Sequence, residues 1–259
     1  MPRVLTSSGI SIGYIEAGSG DATPIVFLHG VGSDKSVWHP QLDHFAKSRR
    51  AIAFDYPGYG DSDPAPDGTT RDDYAEAMHS AMHALDVDRA HVCGLSLGGV
   101  VAIALCHAVP NHCASLILAD TFAVHPEAEG IYQRGIAGST DLPGMAEARV
   151  DVLIAQPADP AVRREVVETM SRIDPAAYRT GAKAVWLADQ RDRAAAIRVP
   201  TLIVCGTEDV PTPPALSDEL HKMIAGSQLS MIPSAGHLTN LEQPGAFNRL
   251  VEDFIRPLG

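Results

Sequence analysis

The stretch Val92-Cys93-Gly94-Leu95-Ser96-Leu97-Gly98-Gly99 limits what this chain can fold into more than any other. An apolar run halts at a Gly-x-Ser-x-Gly and resumes as Val100-Val101-Ala102-Ile103-Ala104-Leu105, a helical apolar pattern. The segment reads as strand, sharp turn and helix, with one serine at the apex. Such a turn strains the backbone of Ser96, and Gly94 and Gly98 let strand and helix approach without a Cβ clash. A helix starting at Leu97 also aims free N–H groups at anything bound to the serine. With 22 glycines in 259 residues, the five-letter pattern arises by chance in roughly one such chain in ten. The weight therefore rests on its flanks and on partners elsewhere in the chain.

The flanks repeat. Alternation over residues 10–16 predicts an early strand with one wet face. Continuous apolar runs at 24–28, 51–54, 91–93, 115–119 and 201–205, with a shorter one at 229–232, are those of strands buried on both faces of a parallel sheet. Helical periodicity fills 36–47, 72–85, 97–108, 213–224 and 245–255. Strands alternating with helices predict an α/β fold with a mostly parallel, doubly wound sheet. Right-handed crossovers then bring the carboxyl ends of the parallel strands to one edge, where ligands bind.

The alternation fails between Phe122 and Trp186. A Gly-rich piece with Gly130, Gly135, Gly138 and Gly144 precedes helical segments at 145–154, 160–172 and 175–187, without a strand. The expected organisation is one α/β core made of residues 1–121 and 188–259, with 122–187 inserted as a small helical cap, or lid, over the edge that carries Ser96.

Composition narrows the partners. At 259 residues the chain buries a substantial core without metal or disulfide staples. A net charge of −12, from 32 acidic and 20 basic residues, disfavours nucleic acid and anionic membranes. No segment has the length of a membrane span, and the first residues lack a signal-peptide core. Cys93, Cys106, Cys113 and Cys205 lie in or beside apolar runs without paired C-x-x-C spacing, so they read as small buried hydrophobes rather than a zinc or redox site. A cytoplasmic location and a small-molecule substrate are the expectation, and a homo-oligomer is compatible with it.

A serine hydroxyl is a weak nucleophile at neutral pH, so Ser96 needs a base within reach and the base needs an orienting group. Of 11 histidines, His237 stands apart: it follows a glycine, in a loop just past the run ending at Ile232. Asp209 lies just past the run ending at Cys205. Glu208 is adjacent but points the other way, and Asp120, after the run ending at Ala119, is the alternative acid at the same edge. The glycine-flanked turn His29-Gly30-Val31-Gly32 can present the Val31 N–H beside that of Leu97, two donors for one oxyanion. The His29 ring is expected to hold that turn, and the loop 55–62, rich in Pro and Gly, is read as structural.

These residues resemble the α/β-hydrolase superfamily over nearly the whole chain. The likeness rests on His29-Gly30, the loop from Asp55 to Ser62, the elbow from Gly94 to Gly99, the block from Pro200 to Asp209, and Gly236-His237-Leu238-Thr239-Asn240-Leu241-Glu242-Gln243-Pro244. Size, cap and the run Asp174-Pro175-Ala176-Ala177-Tyr178 most resemble the 3-oxoadipate enol-lactonase-like and carboxylesterase branch, which implies hydrolysis of a lactone or carboxylic ester. The cap departs from the lactonase pattern in having no tryptophan in its first half, where Tyr132 and Gln133 stand.

The mechanism expected is attack by Ser96, with His237 as base, Asp209 orienting it, the Val31 and Leu97 amides as oxyanion hole, and neither metal nor organic cofactor. Trp38, Trp186 and Leu238 are the expected substrate contacts. Arg134, Arg149, Arg163, Arg164, Arg172 and Arg179 can clamp a substrate carboxylate, although arginines on lid helices are usually solvated. The same scaffold and triad also serve C–C bond hydrolases, cofactor-free haloperoxidases and ligand receptors of low turnover. A haloalkane dehalogenase is disfavoured, since it would carry Asp at position 96.

Overall fold

Successive residues of a strand point to opposite faces of a sheet, and here both faces are covered. Val26, Leu28, Val92, Leu116 and Leu118 join one buried apolar cluster, while their neighbours Ile25, Phe27, Cys93, Ile117 and Ala119 join another. This two-sided burial is why those runs are continuously apolar. The computed structural model describes residues 2–259.

In chain order the strands are β1 (Arg3–Leu5), β2 (Ser11–Ala17), β3 (Ile25–Leu28), β4 (Ala51–Phe54), β5 (Ala90–Leu95), β6 (Cys113–Ala119), β7 (Thr201–Gly206) and β8 (Gln228–Ile232). They form one 8-stranded sheet in the order β1-β2-β4-β3-β5-β6-β7-β8. β1 with β2 and β2 with β4 pair antiparallel, and every pair from β4 to β8 is parallel. Registers such as Leu28 opposite Gly94, Leu95 opposite Ala119 and Gly206 opposite Ile232 align the carboxyl ends along one edge. β1 lies outside the sequence expectation, because three mostly exposed edge residues carry no burial pattern.

The helices are α1 (His39–Phe45), α2 (Arg71–Ala84), α3 (Leu97–Ala108), α4 (Ala128–Gly138), α5 (Leu142–Leu153), α6 (Pro160–Ser171), α7 (Pro175–Trp186), α8 (Arg191–Ala196), α9 (Pro214–Met223), α10 (Thr239–Glu242) and α11 (Pro244–Ile255). Thr70 and Asp73 cap α2 reciprocally, and Asp159 and Asp174 cap α6 and α7 ahead of Pro160 and Pro175. The single helix expected over 36–47 is instead a 3-10 turn, Lys35–Trp38, followed by α1. Pro40 has no N–H to return to the preceding turn, so the helix restarts there.

Between β6 and β7 the chain leaves the sheet and builds α4 to α7. It leaves and returns through one neck, where Val124 and Asp189 form an antiparallel bridge and the Gln190 N–H donates to Ala123 O at 2.9 Å. The Gly-rich piece is helical, as α4. Packing against α7 overrides the poor propensity of glycine, and Gly135 leaves room for the Tyr178 phenol, whose oxygen would lie 3.2 Å from a Cβ there. Among the described residues, no helix is long and apolar enough to cross a membrane.

Candidate active site

Ser96 sits between β5 and α3 with φ 54° and ψ −113°. A non-glycine residue there stores about 1–3 kcal/mol of strain, and its neighbours hold it. The Ser96 N–H donates to Ala119 O at 3.0 Å, and Thr121 Oγ1 donates to Ser96 O at 2.8 Å. A Cβ at Gly94 would meet Gly98 O at 2.1 Å, and one at Gly98 would meet Leu28 O at 2.0 Å. Any larger residue at either position pushes helix from strand, and the serine would lose its place at the sheet edge.

His237 follows β8 and Asp209 follows β7, and both are buried. The His237 Nδ1 lies 3.1 and 3.0 Å from the two Asp209 carboxylate oxygens and 3.2 Å from Thr212 Oγ1. Asp209 is itself fixed, accepting from the Thr212 N–H at 2.9 Å and the Thr212 hydroxyl at 2.7 Å. Burial pulls the proton affinity of His237 down, but the Asp209 charge and hydrogen bond outweigh it, and the ring titrates above the ordinary histidine value. Ser96 and His237 line the same cavity; among the described residues they make no direct hydrogen bond.

The alternative acid, Asp120, does not reach the ring. Its carboxylate accepts from the Gly206 N–H at 3.0 Å and the Thr239 hydroxyl at 2.6 Å. Burial first, and the charge of Asp209 second, hold it well above the usual carboxylate range. Asp120, Cys205 and Asp209 bring two carboxylates and a thiol within 4.8 Å of one another. All three are engaged inside the protein, Cys205 donating to Gly206 O at 3.3 Å, which makes the cluster a poor fit for a metal.

The turn after β3 faces the elbow. Among the described residues, neither the Val31 nor the Leu97 N–H has a hydrogen-bond acceptor, so both remain available as donors. The His29 ring is fully buried, with Nδ1 2.8 Å from Gly30 O, between Tyr56 and Tyr59. Tyr56 donates to His29 O at 3.2 Å and Tyr59 to Val31 O at 3.3 Å, pinning the turn from below. Asp55 accepts from the amides of Lys35 and Asp61, both at 2.9 Å, and pairs with the Lys35 ammonium. The loop 55–62 is a brace for this turn.

The cavity is walled by apolar side chains: Val37, Leu95, Leu153, Val166, Met170 and Trp186. Of the expected substrate contacts, Trp186 and Leu238 line it. Trp38 does not, which corrects the expectation. Its ring stacks on Phe27 with centroids 4.9 Å apart and is fully buried beside Phe247, leaving Val37 at the wall. Neighbouring residues of the turn face opposite sides, and the larger ring takes the core side.

Two further residues were not singled out from sequence. Thr212 orients Asp209, and a hydroxyl three residues past a carboxylate carries no distinguishing signal. Glu242, on α10, accepts from the N–H groups of Ala155 at 2.7 Å, Gly236 at 2.9 Å and Leu238 at 3.2 Å. The His237 N–H in turn donates to Leu153 O at 2.8 Å. All three amides around His237 are thereby tied down, two by one carboxylate that also holds the end of α5. An acid at the end of the short turn Thr239-Asn240-Leu241-Glu242, whose residues are mostly polar, carries no distinguishing signal either.

A sequence profile of the alpha/beta hydrolase family matches residues 25–250. This chain belongs to that family. Its sequence is 27% identical over 250 residues to 3-oxoadipate enol-lactonase 1 of Acinetobacter baylyi, covering 93% of this chain and 91% of the other. The enol-lactonase from Burkholderia xenovorans superposes with a TM-score of 0.91 at 28% identity, over 98% of this chain and 100% of that one. A thermophilic esterase from Thermogutta terrifontis does so with a TM-score of 0.91 at 27% identity, over 99% and 98%. The alpha/beta hydrolase fold thus carries esterases and lactonases among this chain's relatives, and the sheet, elbow and excursion described above are its instance of that fold.

Proposed function

We propose that this protein is a serine hydrolase that cleaves a carboxylic ester or lactone through an acyl-enzyme on Ser96. The observation that carries the proposal is the convergence on one apolar cavity of a strained, helix-capping Ser96 and a buried His237 whose far nitrogen is held by Asp209. His237 takes the serine proton through Nε2, the nitrogen left free by Asp209, and Asp209 stabilises the imidazolium that forms. The Val31 and Leu97 N–H groups receive the tetrahedral oxyanion. His237 then returns its proton to the leaving oxygen, and activates a water that releases the acyl group.

The helices between residues 122 and 187 act as the lid. They supply Arg149, Leu153, Val166, Met170, Tyr178 and Trp186 to the cavity, so they exclude water and select the substrate. The four free, buried cysteines suit a reducing, cytoplasmic setting. The test is a panel of 4-nitrophenyl esters and lactones with wild type and Ser96→Ala, purified from a host without background esterase. Turnover that survives in Ser96→Ala overturns the proposal.

A further inference from the structure

The end of β6, Ala119-Asp120-Thr121, touches all three loops that carry Ser96, Asp209 and His237. Ala119 O accepts the Ser96 N–H at 3.0 Å, and the Thr121 hydroxyl donates to Ser96 O at 2.8 Å. Between them, Asp120 turns its side chain to the other two loops. Its Oδ1 accepts from the Gly206 N–H at 3.0 Å, and its Oδ2 meets the Thr239 hydroxyl at 2.6 Å and the Thr239 N–H at 3.4 Å. Gly206 O in turn accepts the Asp209 N–H at 3.3 Å, and Thr239 stands two residues past His237. One side chain therefore spans the loop after β7 and the loop after β8. Asp120 has φ 47°, a strained conformation for a non-glycine residue that persists only where the surroundings over-determine it.

The Asp120 carboxyl is fully buried, with an oxygen within 4.8 Å of one of Asp209. Asp209 has the His237 ring as its partner, whereas Asp120 meets only neutral donors. Two buried carboxyl groups at that distance do not both ionise, and the one without a counter-charge keeps the proton. A second negative charge here would also strengthen the hold of His237 on its proton, and so weaken it as a base at neutral pH. Cys205 and Cys93, the other titratable groups facing Asp120, are buried thiols that burial and this carboxyl push up, so they stay uncharged.

On the reading of Ser96, Asp209 and His237 as the reacting groups, we infer that Asp120 is a positioning residue, whose carboxyl group clasps the loop of Asp209 to the loop of His237 and fixes their separation. It does so as a neutral acid. A protonated carboxyl and an asparagine amide offer the same pattern, an oxygen toward the Gly206 N–H and a donor toward Thr239 Oγ1. Neither Asp120 nor Thr239 lines the cavity, so the effect falls on kcat rather than on KM.

Asp120→Ala, Asp120→Asn and Thr239→Val are compared with wild type in hydrolysis of 4-nitrophenyl butyrate across about pH 5.5–8.5, with thermal unfolding as the check on folding. In Asp120→Ala and Thr239→Val, kcat should fall by about 10- to 100-fold with KM little changed. Asp120→Asn should recover most of that loss and keep the wild-type midpoint of kcat/KM against pH, because no charge was removed. Undiminished kcat in Thr239→Val, or equal losses in the Asn and Ala variants, overturns the clasp, and a midpoint that falls in Asp120→Asn overturns its neutral form. A readout without turnover separates this from the hydrolase reading. The low-field proton NMR signal of the His237 Nδ1–H in its bond to Asp209 should persist in Asp120→Asn and be lost to solvent exchange in Asp120→Ala and Thr239→Val. That loss supports the clasp even if no ester is cleaved, and persistence of the signal in all three variants overturns it.

Discussion

Replacing Asp209 by asparagine removes a charge while leaving the shape, and the surrounding hydrogen bonds dictate how the amide must sit. The Thr212 N–H, 2.9 Å from Oδ1, requires an acceptor there, so the amide oxygen takes that position. The amide nitrogen then replaces Oδ2, 3.0 Å from His237 Nδ1, and donates to it. The Thr212 hydroxyl, 2.7 Å away, rotates to accept. With Nδ1 an acceptor, the imidazole proton moves to Nε2, and the nitrogen facing the cavity has no lone pair for the serine proton. The imidazolium also loses its counter-charge. Together these predict a fall in kcat of about 1,000- to 10,000-fold, equivalent to about 4–5.5 kcal/mol, with KM little changed. The assay is steady-state hydrolysis of 4-nitrophenyl butyrate, paired with the rate of labelling by a fluorophosphonate, which reads the nucleophilicity of Ser96 without turnover. Both rates should fall together while thermal unfolding moves little. A loss of less than tenfold in both would refute the reasoning and return Asp120 to consideration.

The other consequences are more local. Because the folded His237 titrates above the ordinary value, activity should rise with pH through a midpoint above about 6.5. The same shift makes the protonated ring a stabilising group, whose contribution is complete below about 6.5 and is lost as pH rises through the folded value. Denaturant midpoints measured across pH 5.5–8.5, about the physiological titration range of histidine, read it as the difference between wild type and His237→Gln. Glu242→Gln leaves an amide oxygen that can still accept from Gly236 and Leu238, but its N–H₂ then faces the Ala155 N–H donor. It should cost about 1–3 kcal/mol of stability and lower kcat by about 10- to 100-fold by loosening His237. Gly181→Ala would place a Cβ 2.1 Å from Tyr59 Oη and 3.2 Å from Val31 Cγ2. It should lower the melting temperature by about 3–10 °C and reduce ester hydrolysis, because Tyr59 no longer holds the Val31 carbonyl.

How much of this was legible in the sequence depends on the length scale of the physics. Strands buried on both faces announce themselves as apolar runs, so β3 to β8 were readable to within two residues at each end, and so was the elbow, where Gly94 and Gly98 are demanded by close backbone contacts. β1, three mostly exposed residues at an edge, has no such signature. The Gly-rich piece hid α4, since what stabilises that helix is its packing on α7, a partner far along the chain, and tertiary packing overrides local propensity. The places of Ser96, Asp209 and His237 at the ends of strands were readable from the sequence, and the fold puts each of them after the strand expected. Trp38 failed as a cavity residue because composition cannot say which face of a turn is core. Thr212 acts through bonds to a residue three positions away that no local pattern distinguishes, and Glu242 ties Ala155, 87 residues away, to the loop of His237, a contact that only the folded molecule makes.

The central claim is a covalent acyl group on Ser96 during turnover. Rapid acid quench of wild type with excess 4-nitrophenyl acetate, followed by intact-mass and peptide analysis, tests it directly. The account predicts one acetyl group per chain, carried on the peptide containing Ser96, formed in a burst that matches nitrophenol release. Full-rate hydrolysis with no acylated chain, or acetyl confined to another residue, would contradict it.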